Sequence, residues 1–122
     1  METEAALARL AELGYLDDRS FAEGLVRRRE AVRGPLALSA ELAARGVDRA
    51  HADAAVAAYG ADAQLASATA LAERLYAGKP VAGYREMLES VGTKLMRRGF
   101  APTVVRAACR TVLSAALNDP GD

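Results

Sequence analysis

The stretch that decides the fold is Glu41-Leu-Ala-Ala-Arg-Gly-Val-Asp48, because it returns as Lys94-Leu-Met-Arg-Arg-Gly-Phe-Ala101 without a gap at an offset of 53. Leu42 falls on Leu95, Arg45 on Arg98 and Gly46 on Gly99, and further on Ala54-Ala55-Val56 falls on Ala107-Ala108-Cys109. In each copy a helical stretch runs into a glycine placed to close it in a left-handed turn, and a second helix follows. Upstream, Ala22-Glu-Gly-Leu25 resembles Ala72-Glu-Arg-Leu75 at an offset of 50, and each precedes a proline break. The repeating unit is therefore three helices.

Working outward, Gly and Pro punctuate the rest of the chain. A first helix is expected at about 2–13, ended by Gly14, with Asp17 or Asp18 placed to cap the next. That second helix carries Phe21, Leu25 and Val32 along one side and runs to about Val32, where Gly34-Pro35 stops it and starts a third, to about Arg45. Asp48 is placed to cap a fourth, reaching about Tyr59. Asp62 is placed to cap a fifth, to about Ala77, and Gly78-Lys79-Pro80 supplies the next break. A sixth ends at Arg98, and Pro102 opens a seventh to about Ala116.

These boundaries predict an all-α protein of tandem three-helix repeats forming an elongated, curved array. Residues 1–16 read as the remnant last helix of a first repeat, cut or lost. Residues 17–60 and 61–117 read as two full repeats, and 118–122 as a tail. Such units cannot close their own apolar faces, so neighbours stack and present a long surface to another macromolecule.

Composition agrees and excludes much else. Of 122 residues, 52% are hydrophobic and only two are Phe, which suits helices better than a turn-rich sandwich. Sixteen basic residues balance sixteen acidic ones, so no global field draws the chain to nucleic acid. Locally the balance shifts: Arg85 to Arg110 holds six basic residues against two acids, and Arg19 to Arg49 seven against four. The single cysteine, Cys109, permits no internal disulfide, and neither a signal peptide nor a membrane-spanning run is present, so a cytoplasmic protein is expected.

Chemistry-bearing motifs are missing. No phosphate loop or nucleophile elbow occurs, so neither an enzyme nor a cofactor is expected. Asp17 and Asp18 stand where N-capping uses carboxylates. His51 has no second ligand at metal spacing and reads as a surface histidine, and Cys109, matched by Val56, reads as a small buried hydrophobe. Tyr15, Phe21 and Phe100 sit beside turns and read as core.

The arginines divide by phase. With Phe21 at zero on a helical wheel, Arg27 lies near about 240° and Arg29 near about 80°. Arg27 thus points to solvent, as a contact for a phosphate or carboxylate. Arg29 leans toward the apolar side and needs an ion-pair partner such as Asp17 or Asp18. Arg97 and Arg98 lie in a last helical turn, where the helix dipole favours cations, and Lys94 extends a basic patch with them. Lys94 and Arg97 are the preferred contact pair.

The string Gly14-Tyr-Leu-Asp-Asp-Arg-Ser-Phe-Ala-Glu23, followed by Val26-Arg27, Arg29, Gly34-Pro35, Glu41-Leu42 and Arg45-Gly46-Val47-Asp48, resembles the central motif of the RecX family. Lys94-Leu95 and Arg97-Arg98-Gly99-Phe100 resemble that family's last repeat. The resemblance implies a regulator that lodges in the groove of the RecA–DNA filament and restrains its ATP hydrolysis, strand exchange and coprotease activity in DNA repair and the SOS response. Family members usually show three repeats, and after Gly-Pro they commonly place basic residues where this chain has Leu36-Ala37-Leu38. Contacts to RecA or DNA are expected from Arg27, Arg33, Arg45, Lys94, Arg97, Arg98 and Arg106. Structural roles are expected for Asp17, Asp18, Phe21, Arg29, Gly34, Pro35, Gly46, Gly99 and Phe100. The partner is the RecA filament, with weak single- or double-stranded DNA binding as a secondary expectation, no membrane, and a monomer. The alternatives are a helical module acting directly on DNA and a degenerate family member without activity on RecA.

Overall fold

The computed structural model describes residues 18–77 and 81–117, and no strand occurs among them. The all-α reading holds. The expected first helix, Asp17 and Tyr15 lie outside the described residues.

Helix α1 covers 18–29 and buries Ala22, Leu25 and Val26. It ends about a turn before Val32, because the amides of both Val32 and Arg33 bond the Arg29 carbonyl and tighten the chain into the turn that delivers Gly34. Helix α2 (Pro35–Ala44) starts with Pro at its first position, where the missing N–H breaks no bond, and buries Leu38 and Leu42. Gly46 then takes the left-handed conformation, φ 78°. Helix α3 (Arg49–Ala57) is capped by Asp48, whose carboxylate accepts from the Ala50 amide at 3.2 Å. It stops short of Tyr59, which instead locks the exit. The buried Tyr59 hydroxyl donates to the Glu30 carbonyl at 2.6 Å, and its own carbonyl accepts from Gln64 Nε2 at 2.7 Å.

Helix α4 (Ala61–Tyr76) begins after extended Gly60 with no side-chain cap. Asp62, expected as the cap, sits inside the first turn instead, where its charge still meets the positive end of the helix dipole. The helix expected to reach Arg98 is not uniform. α5 (Tyr84–Met87) passes into a π-helical turn (Leu88–Gly92) and then α6 (Thr93–Arg97). Its buried residues Met87, Val91 and Leu95 are spaced by four, a spacing that drifts about 40° per step on a regular helix, and the wider turn takes up part of that drift. Gly92 lets the turn lie against α7, since a Cβ there would stand 3.3 Å from Val105 Cγ1. Helix α7 (Pro102–Leu117) buries Val105, Ala108, Cys109 and Val112 in helical phase and packs most extensively on α4.

One continuous apolar core runs through all of these helices. At its edge the α6–α7 turn docks on the α1–α2 linker, backbone to backbone. The Gly34 amide donates to the Arg98 carbonyl at 2.7 Å, and the Leu36 amide to the Gly99 carbonyl at 3.1 Å. A Cβ at Gly34 would overlap the Gly99 backbone, and one at Gly99 (φ 94°) would overlap Ala37. Phe100 is fully buried beside this contact.

Candidate partner-binding site

The same linker gathers charge. Glu41, on α2, has a side chain only 12% exposed, and three guanidiniums converge on its carboxylate. Arg29 Nη1 lies 3.2 Å from Oε2, Arg33 Nη1 3.2 Å from Oε1, and Arg45 Nη2 3.3 Å from Oε2. Arg45 is one helical turn beyond Glu41, while Arg29 and Arg33 are brought in by the early end of α1. Arginine stays protonated in any accessible pH range, so one carboxylate against three guanidiniums leaves a surplus of two positive charges. Each of the three arginine side chains remains at least 36% exposed, so their outward N–H groups face solvent. Arg98 comes to the same place from the other half of the chain, its Nη1 donating to the Val32 carbonyl at 3.4 Å, next in sequence to Arg33.

Of the contact residues expected from sequence, the structure thus assembles Arg33, Arg45 and Arg98 at the docked turn. Arg27 stands apart on α1, exposed, along a groove whose other wall is Ala50, His51 and Ala54 of α3. Lys94 is half-buried, whereas Arg97 is exposed. Arg106, also exposed, borders a shallow groove with Leu88, Thr93 and Met96 between the π turn and α7.

Several expectations change. Arg29 pairs with Glu41 rather than with Asp18, because α2 folds back under the end of α1. His51 is not on the surface: it is 8% exposed, since it shares the inward phase of Ala52 and Ala55, with Nδ1 3.6 Å from the Asp48 carboxylate. Phe21 is half-buried, with the Arg45 guanidinium 5.6 Å over its ring. Cys109, by contrast, is fully buried as its match to Val56 suggests, which pushes its thiol pKa up, away from nucleophilic use. Among the described residues no group of three His, Cys, Asp or Glu side chains is placed to hold a metal ion.

Glu41 was visible as a member of the repeat and of the family motif, with no role assigned to it. What could have singled it out is its spacing from Arg45 together with the lack of any other acid between Glu30 and Asp48. Nothing in the sequence pointed to the contact between Gly34 and Gly99.

Residues 17–56 match a family described as RecX, second three-helix domain. Proteins named Regulatory protein RecX align over most of the chain. One from Stenotrophomonas maltophilia is 37% identical over 110 residues, 88% of this chain and 65% of that protein. One from Halorhodospira halophila is 42% identical over 106 residues, 84% and 63%. One from Geobacillus kaustophilus is 35% identical over 106 residues, 85% and 39%. The chain therefore spans between 39% and 65% of the length of these relatives. No solved structure matches.

Proposed function

Because this chain belongs to the RecX family, we propose that it is a regulatory protein that binds the RecA filament and restrains its ATP hydrolysis, strand exchange and coprotease activity, with no reaction of its own. The observation that carries this is the arginine cluster. Arg29, Arg33 and Arg45 share one carboxylate, and Arg98 joins them across the docked turn, on a chain of net charge zero. A nucleoprotein filament presents phosphates and carboxylates, and forked guanidiniums held in fixed positions recognise both. In this reading residues 17–60 and 61–117 act as two rigidly joined repeats, and Lys94, Arg97 and Arg106 extend the contact along the second. Action is cytoplasmic, alongside the chromosome, in keeping with the fact that no described helix is long and apolar enough to cross a membrane.

The second reading is direct binding to DNA, favoured by the same unneutralised guanidiniums. Titrating the protein into RecA hydrolysing ATP on single-stranded DNA separates the two. Inhibition at protein concentrations that leave naked DNA unbound supports the filament reading. Inhibition that follows DNA binding, with affinity falling by about 0.7 log unit per phosphate contact for each tenfold rise in salt, supports the second. A folded protein with no effect at large excess would sink the filament reading and leave direct DNA binding or an inert family member.

A further inference from the structure

Helix α2 is apolar on both of its sides. Leu38 and Leu42 are buried in the core. With Leu36 at zero on a helical wheel, Leu36, Ala40, Ala43 and Ala44 lie within an arc of about 100° on the other side, and all four are exposed. Leu36 stands out at 62% exposure. A helix with one face in water ordinarily turns charge outward, yet the single charged residue of α2, Glu41, lies at about 140° and is drawn in under its arginines.

Charge stands at the end of this face instead of on it. The bonds from the Gly34 amide to the Arg98 carbonyl and from the Leu36 amide to the Gly99 carbonyl hold Arg98 next to Leu36, and Arg33 precedes Leu36 by three residues. Arg98 is exposed, and the Arg33 side chain is 42% exposed. Among the described residues Arg98 has no carboxylate within ion-pair distance, and the Glu41 carboxylate that meets Arg33 is shared with Arg29 and Arg45. An aliphatic side chain in water is thus flanked by two guanidiniums with donors to spare.

We propose, as an inference that rests on the filament reading, that this end of α2 grips a segment of the partner protein and not the DNA backbone. The segment offers an apolar side chain to Leu36 and Ala40 and a carboxylate to Arg33 and Arg98. Phosphates are held by cations, hydroxyls and amide N–H groups. Leu36 and Ala40 supply none of these, and pressed against phosphate they strip its water without replacing it. Against protein the same two side chains are buried with profit, and an apolar centre edged by arginine is the usual make-up of a protein interface.

Leu36→Lys separates the two ligands, because it removes the apolar contact while adding a cation beside Arg33 and Arg98. The side chain points into solvent, so the thermal midpoint is expected to hold. In RecA ATP hydrolysis on single-stranded DNA, about tenfold more of this variant than of the wild type is expected to be needed for half inhibition. Ala40→Lys, one turn along, is expected to lose less in the same direction. Binding to a naked single-stranded oligonucleotide, read by fluorescence anisotropy, is expected not to weaken with either change. Inhibition by Leu36→Lys that equals or exceeds that of the wild type overturns the proposal while leaving the filament reading in place. A wild type with no effect on RecA removes the filament reading, and this proposal with it.

Discussion

The turns at Gly46 and Gly99 have the same backbone hydrogen bonds and the same left-handed glycine, yet they are held in place by different means. At the first, Asp48 caps the following helix and Glu41 ties Arg45 back, so the turn is stabilised by the helices on either side of it. At the second, Ala101 stands where Asp48 would and cannot cap, and the turn is held instead by docking onto Gly34 and Leu36 of the α1–α2 linker. A repeated sequence thus specifies a repeated local shape, while the neighbours decide what each copy is for. Among the described residues the Gly46 turn is exposed, whereas the Gly99 turn docks on the α1–α2 linker.

The contrast breaks most visibly at the glycines. Gly34→Val puts a side chain into backbone on both sides of the junction, and we expect a loss of about 3 kcal/mol or more in urea unfolding. Gly46→Ala meets no neighbour within 4 Å among the described residues and should lose only about 1–2 kcal/mol, the strain of a left-handed alanine. Equal losses would mean that docking contributes nothing. Asp48→Ala removes the cap and should cost about 1 kcal/mol, with no counterpart at position 101.

Smaller still is the effect of Glu41→Gln. The three arginines are half exposed and solvent-screened, so the loss should be about 1 kcal/mol or less. The same change frees guanidinium charge, and the concentration needed to inhibit RecA should fall. Inhibition weakened by this substitution would mean that the carboxylate is needed to hold the arginines in their working geometry.

The smallest effect is on pH dependence. Burial raises the Cys109 pKa above its ordinary value of 9.0. Burial also raises Tyr59 above 10.0, with a Ser67 hydrogen bond opposing and the Glu30 charge adding. Both groups are neutral when protonated, so the stability they contribute is complete below these ordinary values and is lost as pH rises through the raised ones. Thermal unfolding midpoints should be flat through neutral pH and fall in alkali, and Cys109→Ala should flatten that fall.

Much of this architecture was legible because it is written in local signals. Gly46 and Gly99 as left-handed turns, Pro35 and Pro102 at helix starts, and Asp48 as a cap each depend on residues within a turn of themselves. What escaped depends on distance. Gly34 reads as a helix break, and only the fold shows that it must also admit the Gly99 backbone. The close approach of Gly92 to Val105 on α7 likewise involves a partner absent from any local window. His51 looked exposed because a lone polar residue was not read in phase with Ala52 and Ala55. The site was half visible: Arg33, Arg45 and Arg98 were named singly, but that Arg33 and Arg45 share Glu41 and that Arg98 meets the same linker required the chain to fold back.

The most direct measurement is RecA ATP hydrolysis on single-stranded DNA with two double variants compared against the wild type. One removes junction charge, Arg33→Gln/Arg45→Gln. The other removes exposed charge from α6 and α7, Arg97→Gln/Arg106→Gln. The account predicts dose-dependent inhibition by the wild type, with the junction variant folded but at least tenfold weaker and the outer variant affected less. Full inhibition by the junction variant, or none by the wild type, would contradict it.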